Sequence, residues 1–180
     1  MKSVWFVVCM CALLSACGGS SGIFSRKLSA IAVLAPTKDN SVSGTVSFAQ
    51  KGDVVMVDAA INGLKANGSH GIHIHEKGNC RAADASSAGA HFNPATSRHG
   101  GPAGTARHAG DLGNLIADAN GSARMTIEID GVSLSAGAKS IIGRSVIVHA
   151  SADDLQTQPS GNSGARVACG LIGKNPDKLF

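Results

Sequence analysis

The sequence predicts an all-β domain, with eight short strands closed into a sandwich or a flattened barrel. Three observations predict this class. Several segments alternate apolar and polar residues with a period of two, no segment has the spacing of a convincing amphipathic helix, and the 180-residue chain contains 23 glycines, which is typical of many tight turns. The strands are predicted at residues 30–35, 41–48, 54–61, 71–76, 115–117, 124–130, 145–149 and 167–172. A chain of this length is predicted to form one domain with a real core.

The first four predicted strands are separated by turn residues. Residues 30–35 are an apolar run, and in residues 41–48 small and apolar side chains alternate with serine and threonine. Lysine, glycine and aspartate at 51–53 predict the turn between the second and third strands. Two Asn-Gly pairs predict the turns that separate the third strand from the fourth.

The last four predicted strands follow the same logic. Asn120-Gly121 predicts a hairpin turn between the fifth and sixth strands. The sixth strand alternates cleanly, because Met125, Ile127 and Ile129 are separated by polar residues. The seventh and eighth strands complete the set.

Two connections are much longer than the others, at residues 77–113 and 150–164. Loops longer than about 12–15 residues without secondary structure are usually functional or disordered. The first connection concentrates His91, His99 and His108, and disorder gives no reason for such a concentration. Both are therefore predicted to be functional loops.

The N-terminus predicts an export signal. Residues 1–16 combine one lysine with the apolar stretch 4–14, which is shorter than the about 20 residues that cross a bilayer. Residues 14–17, Leu-Ser-Ala-Cys, resemble the lipobox of bacterial lipoproteins, which implies cleavage before Cys17 and lipidation of Cys17. Residues 17–29 would then be the lipidated cysteine with a flexible tether, and Gly18 favours an outer-membrane-anchored lipoprotein of the periplasm and cell envelope. The alternative is an ordinary signal peptide cut near Ala16, with Cys17 incidental.

Cysteine usage agrees with export. Cys9 and Cys11 lie in the predicted signal peptide and Cys17 would carry lipid, which leaves Cys80 and Cys169 of the five cysteines. Two remaining cysteines in an exported domain most simply form one disulfide.

The composition argues against a nucleic-acid partner. Aromatic residues make up 3% of the chain, tyrosine is absent, and no basic run is longer than Arg26-Lys27. Nucleic-acid modules that stack bases need aromatic side chains, and backbone binding needs clustered basic residues.

The histidines predict metal binding on the strands. Six of the seven histidines lie between residues 70 and 108. His73 and His75 are two apart on a predicted strand and therefore share a face, while Ile72 and Ile74 face the core. His149 ends another strand and could supply a third imidazole, a donor set that suits copper or zinc. The His-x-His pair alone is weak evidence.

A second group of potential ligands lies in the first long loop. His91, His99, His108 and Asp111 offer three imidazoles and a carboxylate, which suits tetrahedral zinc. Neighbouring glycines let the backbone turn each side chain inward. The alternative is a set of solvent-exposed loop histidines.

Several blocks along the chain resemble one known family. They are 71–76 (GIHIHE), 91–94 (HFNP), 99–102 (HGGP), 108–114 (HAGDLGN), 143–149 (GRSVIVH), 153–155 (DDL) and 161–170 (GNSGARVACG). In order and ligand spacing, from about residue 30 to residue 172, they resemble copper/zinc superoxide dismutase. The position of Cys80 relative to His75 and His91 resembles the bacterial periplasmic branch.

The resemblance implies a fold and an activity for residues 30–180. The fold would be an eight-stranded antiparallel Greek-key barrel or sandwich. The activity would be the dismutation of superoxide to dioxygen and hydrogen peroxide at a copper that alternates between Cu(II) and Cu(I), beside a structural zinc bridged by a histidine. Such an enzyme would protect the cell envelope from superoxide. Whether the chain is a monomer or a homodimer stays open.

The resemblance also implies the site residues. The implied copper ligands are His73, His75, His91 and His149, and the implied zinc ligands are His91, His99, His108 and Asp111. The implied catalytic residues are Arg166, which attracts the anionic substrate, and His91, which carries a proton when it leaves copper. Asp153 would hold one copper histidine and one zinc histidine together, and Cys80 and Cys169 match the family's disulfide. His70 matches a position that is not a ligand and is expected to be structural.

The chain departs from the family's eukaryotic members in the second loop. Residues 155–165 lack the lysines and glutamates that aid substrate steering there. Lys77, Arg81 and Arg107 are therefore candidates for steering residues.

Two other functions use the same histidines. A copper-carrier or storage lipoprotein would not need the anion-orienting Arg166. A zinc-stabilised binding module without catalysis would be expected to lack a copper histidine, whereas His73, His75 and His149 are all present.

Overall fold

The computed structural model describes residue 1 and residues 28–175. Within this range the chain forms eight strands and one short 3-10 helix, Ser86–Ala88. The strands are β1 Ser29–Pro36, β2 Ser43–Lys51, β3 Val54–Asn62, β4 Ser69–His75, β5 Asp111–Ile116, β6 Ala123–Ile129, β7 Ser145–His149 and β8 Arg166–Lys174. The predicted all-β class is confirmed, and each predicted strand is present.

The strands pair antiparallel in the order β5-β4-β7-β8-β1-β2-β3-β6. β1, β2 and β3 form a meander, whereas β4 with β7, β8 with β1 and β3 with β6 are pairs of strands distant in sequence. Such returns over a long connection are typical of a Greek key. The end strands β5 and β6 contact each other, so the sheet curves into a nearly closed barrel.

The core lies inside this barrel and follows the period-two pattern. On β2 and β3 alternate side chains point inward, among them Val46, Phe48 and Val57, which are at most 1% exposed. β4 and β7 differ because they are buried on both faces. Ile72 and Ile74 face the core as predicted, and the two long loops cover the opposite face, which carries His73 and His75.

The largest difference from the predicted strands concerns β5. It begins at Asp111 and ends at Ile116, so the first loop spans 76–110 and Asp111 belongs to a strand. Asp111 pairs with His73 of β4 in the ladder. The period-two pattern does not predict this start, because Asp111 is a buried polar residue whose carboxylate contacts histidine side chains and not the apolar core.

The predicted hairpin at Asn120-Gly121 is wrong. The chain does turn there, with the Asp118 N–H donating to the Ser122 carbonyl at 2.8 Å. However, β5 pairs with β4 and β6 pairs with β3, so the two strands around the turn lie at opposite ends of the strand order. A tight turn therefore links the two edges of the barrel without a hairpin ladder.

The predicted signal peptide and Cys17 lie outside the described residues. Among residues 28–175, no helix has the length and apolar character needed to cross a bilayer.

Candidate metal centre

Backbone pairing brings the first long loop against β4. The Phe92 N–H donates to the Ile74 carbonyl at 2.8 Å, and the Glu76 N–H donates to the Ala90 carbonyl at 2.8 Å. These bonds hold His91 beside His75 in a short antiparallel bridge. Residues 90–92 thus extend the ladder of β4 and carry His91 to the face on which His73 and His75 lie.

Four histidines converge on that face. His73 and His75 come from β4, His149 ends β7, and His91 comes from the loop. Each offers one ring nitrogen, and these four atoms all lie within 4.8 Å of one another. All four side chains are buried. We call this set the four-histidine cluster.

A second cluster lies next to it and shares one member. His91, His99, His108 and Asp111 also offer ligand atoms within 4.8 Å of one another, and all four are buried. Asp111 Oδ1 lies 2.8 Å from His91 Nδ1, and Asp111 Oδ2 lies 3.0 Å from His99 Nδ1. We call this set the mixed cluster, because a carboxylate joins the three imidazoles. Its donor set is one that zinc prefers.

The four-histidine cluster fits a metal ion. In three of its rings one nitrogen faces an oxygen acceptor and must therefore donate: His73 Nε2 to Asp153 Oδ2 at 2.8 Å, His75 Nδ1 to the Gly89 carbonyl at 2.9 Å, and His149 Nδ1 to the Gly164 carbonyl at 3.1 Å. The other nitrogen of each ring is buried without a hydrogen-bond partner, as is His91 Nε2. A buried polar atom without a partner costs about 1–3 kcal/mol. A cation bound by these four lone pairs would remove that cost.

Burial keeps three of these imidazoles neutral. Desolvation is the main cause that lowers the pKa of His91 to about 4 and the pKa of His149 to about 3. The pKa of His75 also lies well below its usual value, first through burial and then through the neighbouring His91. Neutral imidazoles at neutral pH have the lone pairs that metal ligation needs.

Asp153 joins the two clusters. Its Oδ2 accepts from His73 of the four-histidine cluster, and its Oδ1 accepts from His99 Nε2 of the mixed cluster at 2.9 Å. Burial raises the pKa of Asp153, but the hydrogen bonds from His73 and His99 outweigh it and hold the pKa below its usual value. The main chain of Asp153 is itself held by Asn114, whose amide donates to the Asp153 carbonyl at 2.8 Å and accepts from its N–H at 2.7 Å.

Arg166 lies at the start of β8, beside the four-histidine cluster. Its guanidinium donates to the carbonyls of Ala85 and Gly89, each at 2.6 Å. It lines a cavity of about 640 Å³ together with His75, His91 and His149. Among the described residues, no other arginine or lysine lines this cavity.

The predicted disulfide between Cys80 and Cys169 is confirmed, with a Cα–Cα distance of 5.8 Å. It ties the loop that contains Ala85 and Gly89 to β8, the strand on which Arg166 lies.

The three proposed steering residues lie elsewhere. Arg107 pairs with Asp130 and donates to the His108 carbonyl, and Lys77 lies 3.9 Å from the Glu76 carboxylate. Arg81 borders a different depression, next to the disulfide. Glu76 is the acidic residue that lines the cavity beside Arg166, so these two charged side chains of the cavity wall have opposite signs.

His70 lies outside both clusters, as expected. It is buried, and its Nδ1 donates to the His149 carbonyl at 2.9 Å. This hydrogen bond holds the main chain at the end of β7.

Sequence reasoning missed the groups that hold the site residues in place. The carbonyls of Ala85, Gly89 and Gly164 fix Arg166, His75 and His149, but a carbonyl is present at every residue and leaves no signal in the sequence. Asn114 ends the block 108–114, yet only the structure shows that its amide holds Asp153.

Comparisons with known proteins agree with this geometry. The family model described as copper/zinc superoxide dismutase (SODC) matches residues 42–172, which include both clusters, Arg166 and the disulfide. The "Superoxide dismutase [Cu-Zn]" of Paramecium bursaria Chlorella virus 1 is 42% identical over 155 residues, 83% of this chain and 80% of the relative. The "Extracellular superoxide dismutase [Cu-Zn]" of Caenorhabditis elegans is 42% identical over 143 residues, 76% of this chain and 63% of the relative. The chain therefore belongs to the copper/zinc superoxide dismutases, oxidoreductases that dismutate superoxide with copper and zinc.

Proposed function

We propose that the four-histidine cluster holds the copper and the mixed cluster holds the zinc of a superoxide dismutase that acts in the cell envelope. The observation that carries this assignment is that His91 belongs to both clusters and borders the same cavity as Arg166. The four imidazoles without a thiolate suit copper, and the three imidazoles with a carboxylate suit zinc.

Copper bound by these histidines supplies a one-electron redox centre, while zinc supplies a fixed positive charge. Two superoxide ions and two protons are converted to one dioxygen and one hydrogen peroxide, so one superoxide is oxidised and the other is reduced. The protein must therefore bind an anion twice in each cycle and must deliver protons to the reduced oxygen.

Arg166 binds and orients the anion. Two of its N–H groups are engaged by the Ala85 and Gly89 carbonyls, and the rest of the guanidinium remains for a ligand in the cavity. Because guanidinium stays charged at every working pH and is held rigidly, it stabilises a small anion beside the four-histidine cluster.

His91 delivers a proton. Its Nε2 is buried in the four-histidine cluster, whereas its Nδ1 is held at 2.8 Å by Asp111 Oδ1. The ring is therefore fixed in orientation with one nitrogen toward the cavity. A proton carried at Nε2 would therefore lie within reach of the reduced oxygen in the cavity.

We also propose export and anchoring by lipid. Residues 1–16 would be the signal peptide, 17–29 the lipidated Cys17 with its tether, and 30–180 the enzyme domain. The disulfide supports an oxidising compartment, the start of β1 at Ser29 supports a folded domain from about residue 30, and one relative is named an extracellular enzyme.

The catalytic proposal is tested by metal analysis and a superoxide consumption assay on the purified mature chain. We expect copper and zinc together with catalytic superoxide consumption, and we expect His91→Ala to abolish the magnetic coupling of Cu(II) with Co(II) substituted for zinc. A metal-loaded chain that consumes no superoxide catalytically would support the copper-storage alternative instead.

The anchor is tested separately by Cys17→Ser. We expect this variant to leave the membrane fraction and to lack an acylated N-terminal peptide in mass spectrometry. A parent chain with no acylated N-terminus would favour the ordinary signal peptide.

A further inference from the structure

Gln158 lies in the second long loop and pairs with the main chain of His99. Its Oε1 accepts from the His99 N–H at 2.8 Å, and its Nε2 donates to the His99 carbonyl at 3.0 Å. A primary amide with both bonds to one residue imitates a neighbouring β-strand. It therefore fixes the main chain of His99 in position and in rotation.

The same loop also holds the ring of His99. Asp153 Oδ1 accepts from His99 Nε2, which leaves Nδ1 directed to the mixed cluster, 3.0 Å from Asp111 Oδ2. Asp153 and Gln158 thus hold one ligand at two points, the ring and the backbone. Without the Gln158 hydrogen bonds, the bond from the His99 ring to Asp153 would be the remaining hydrogen bond between His99 and this loop among the described residues.

Gln158 is also next to the wall of the substrate cavity. Pro159 and Ser160 follow it directly, and both line the cavity that contains Arg166 and His149. Gln158 therefore connects the main chain of His99 to the residues of this wall.

From these contacts we propose that Gln158 is a positioning residue that couples zinc binding to the shape of the substrate cavity. The inference rests on the proposed zinc assignment of the mixed cluster. It predicts that the Gln158 amide strengthens zinc binding and that zinc, through this amide, strengthens anion binding. Coupling between two binding sites must be reciprocal.

The chain offers a matched control two residues away. Gln156 lies in the same exposed loop, and within the described part of the chain its side chain has no hydrogen bond. Its main-chain carbonyl accepts from Gln158 Nε2 at 3.0 Å, and an alanine retains that carbonyl. Gln156→Ala therefore tests for general loosening of the loop.

The first measurement is zinc transfer from the holoenzyme to a chelator. For Gln158→Ala we expect about tenfold weaker zinc retention, the lower end of the range for residues that position metal ligands, because water competes for an exposed amide. Copper retention should be unchanged, and Gln156→Ala should match the parent. Equal zinc retention in Gln158→Ala and the parent would overturn the inference, as would equal losses in the two alanine variants.

The second measurement is the affinity of the copper-loaded chain for azide, with and without zinc. Zinc should raise azide affinity in the parent, and this ratio should shrink in Gln158→Ala. An unchanged ratio would show that the cavity does not sense zinc through Gln158.

Two further variants separate the possible failures. Gln158→Glu retains an acceptor for the His99 N–H but sets a carboxylate oxygen against the His99 and Gln156 carbonyls, so we expect it to lose at least as much zinc as Gln158→Ala. Zinc retention equal to that of the parent would contradict the inference. His99→Ala tests the assignment itself: zinc retained as in the parent would refute the proposed zinc site, independently of Gln158.

Discussion

At the scale of single residues, the side chains of the site share one design. A hydrogen bond fixes one polar atom of each side chain and leaves another polar atom free to bind a ligand. His73, His75 and His149 each donate from one nitrogen to an oxygen and leave the other nitrogen unpartnered in the four-histidine cluster. Arg166 is held by two carbonyls in the same manner. Such outer hydrogen bonds set the tautomer and the orientation of a ligand before any ion arrives.

Arg166 tests the role of the fixed charge. Arg166→Ala should retain both metals but consume superoxide at least about tenfold more slowly and bind azide more weakly. The reason is that the variant lacks the positive charge that attracts anions to the cavity. Stopped-flow kinetics at low and high ionic strength measure the effect. Arg166→Lys, which retains the charge without the two-carbonyl anchor, should lose less. An unchanged rate of Arg166→Ala at low ionic strength would contradict the assigned role.

Asp153 and Asp154 form a second matched pair. Asp153 holds His73 and His99, whereas the exposed Asp154 accepts hydrogen bonds from Gln156 and Thr157 of its own loop. Asp153→Ala should weaken metal retention about 10–100-fold, and Asp154→Ala should not. Chelator competition compares the two. Equal retention in both variants would show that His73 and His99 do not need their shared carboxylate.

At the scale of elements, strands supply rigid positions and loops supply the remaining ligands. β4 contributes His73 and His75, and its hydrogen bonds to residues 90–92 carry His91 to the same face. Gly110 lies against the same strand, where its carbonyl accepts from the Ile74 N–H at 2.9 Å, and a Cβ there would collide with the Ile74 carbonyl. The disulfide ties the loop back to β8, so the carbonyls that hold Arg166 are themselves held.

The disulfide therefore affects both stability and rate. A chain with Cys80→Ser and Cys169→Ser should lose about 2–5 kcal/mol in the free energy of unfolding, since the bond closes a long loop. Superoxide consumption should also slow, because Ala85 and Gly89 lie in the freed segment. Denaturant unfolding and stopped-flow kinetics measure the two effects. If the rate loss acts through Arg166, it should be much smaller when Arg166→Ala is already present. Equal losses in both backgrounds would contradict this link.

At the scale of the whole molecule, the barrel has two kinds of surface. β2, β3 and β6 are buried on the inner face only, whereas β4 and β7 are buried on both faces because the loops cover them. The four-histidine cluster and the mixed cluster lie in this second layer, between barrel and loops. Their protonation must therefore affect the stability of the whole protein.

The metal-free chain should lose stability in acid. The unfolded state binds protons on histidine near pH 6.5, while in the folded state burial lowers the pKa of His91 to about 4. The contribution of His91 to the free energy of unfolding is therefore fully present above pH 6.5. It decreases by about 3 kcal/mol as the pH drops toward 4. The pKa values of Asp111 and Asp153 lie below the usual 3.8, so the contributions of these two carboxylates to the free energy of unfolding are lost only at lower pH.

Urea unfolding of the metal-free chain at several pH values measures this dependence. His91→Gln should show a smaller decrease between pH 6.5 and 4. A parent chain with constant stability over that interval would contradict the prediction.

The order of residues along this chain determined the strand pattern, the ligand types and the cysteine pair. Period two follows from the pleat, and the spacing of His73 and His75 puts two imidazoles on one face whatever the rest of the fold does. The start of β5 and the false hairpin at Asn120-Gly121 show the limit. Local propensity does not say which strands become partners, since pairing depends on burial across the whole barrel.

The resemblance to a known family implied that His91 is shared and that Asp153 joins the two sites, whereas only the tertiary structure decided that Gln158 holds His99 and that Asn114 holds Asp153. Each of these contacts joins segments far apart in sequence, and several use backbone carbonyls or ordinary amides that no motif marks. Local sequence sets which atoms are available, but the closed barrel and its two loops set which of those atoms meet.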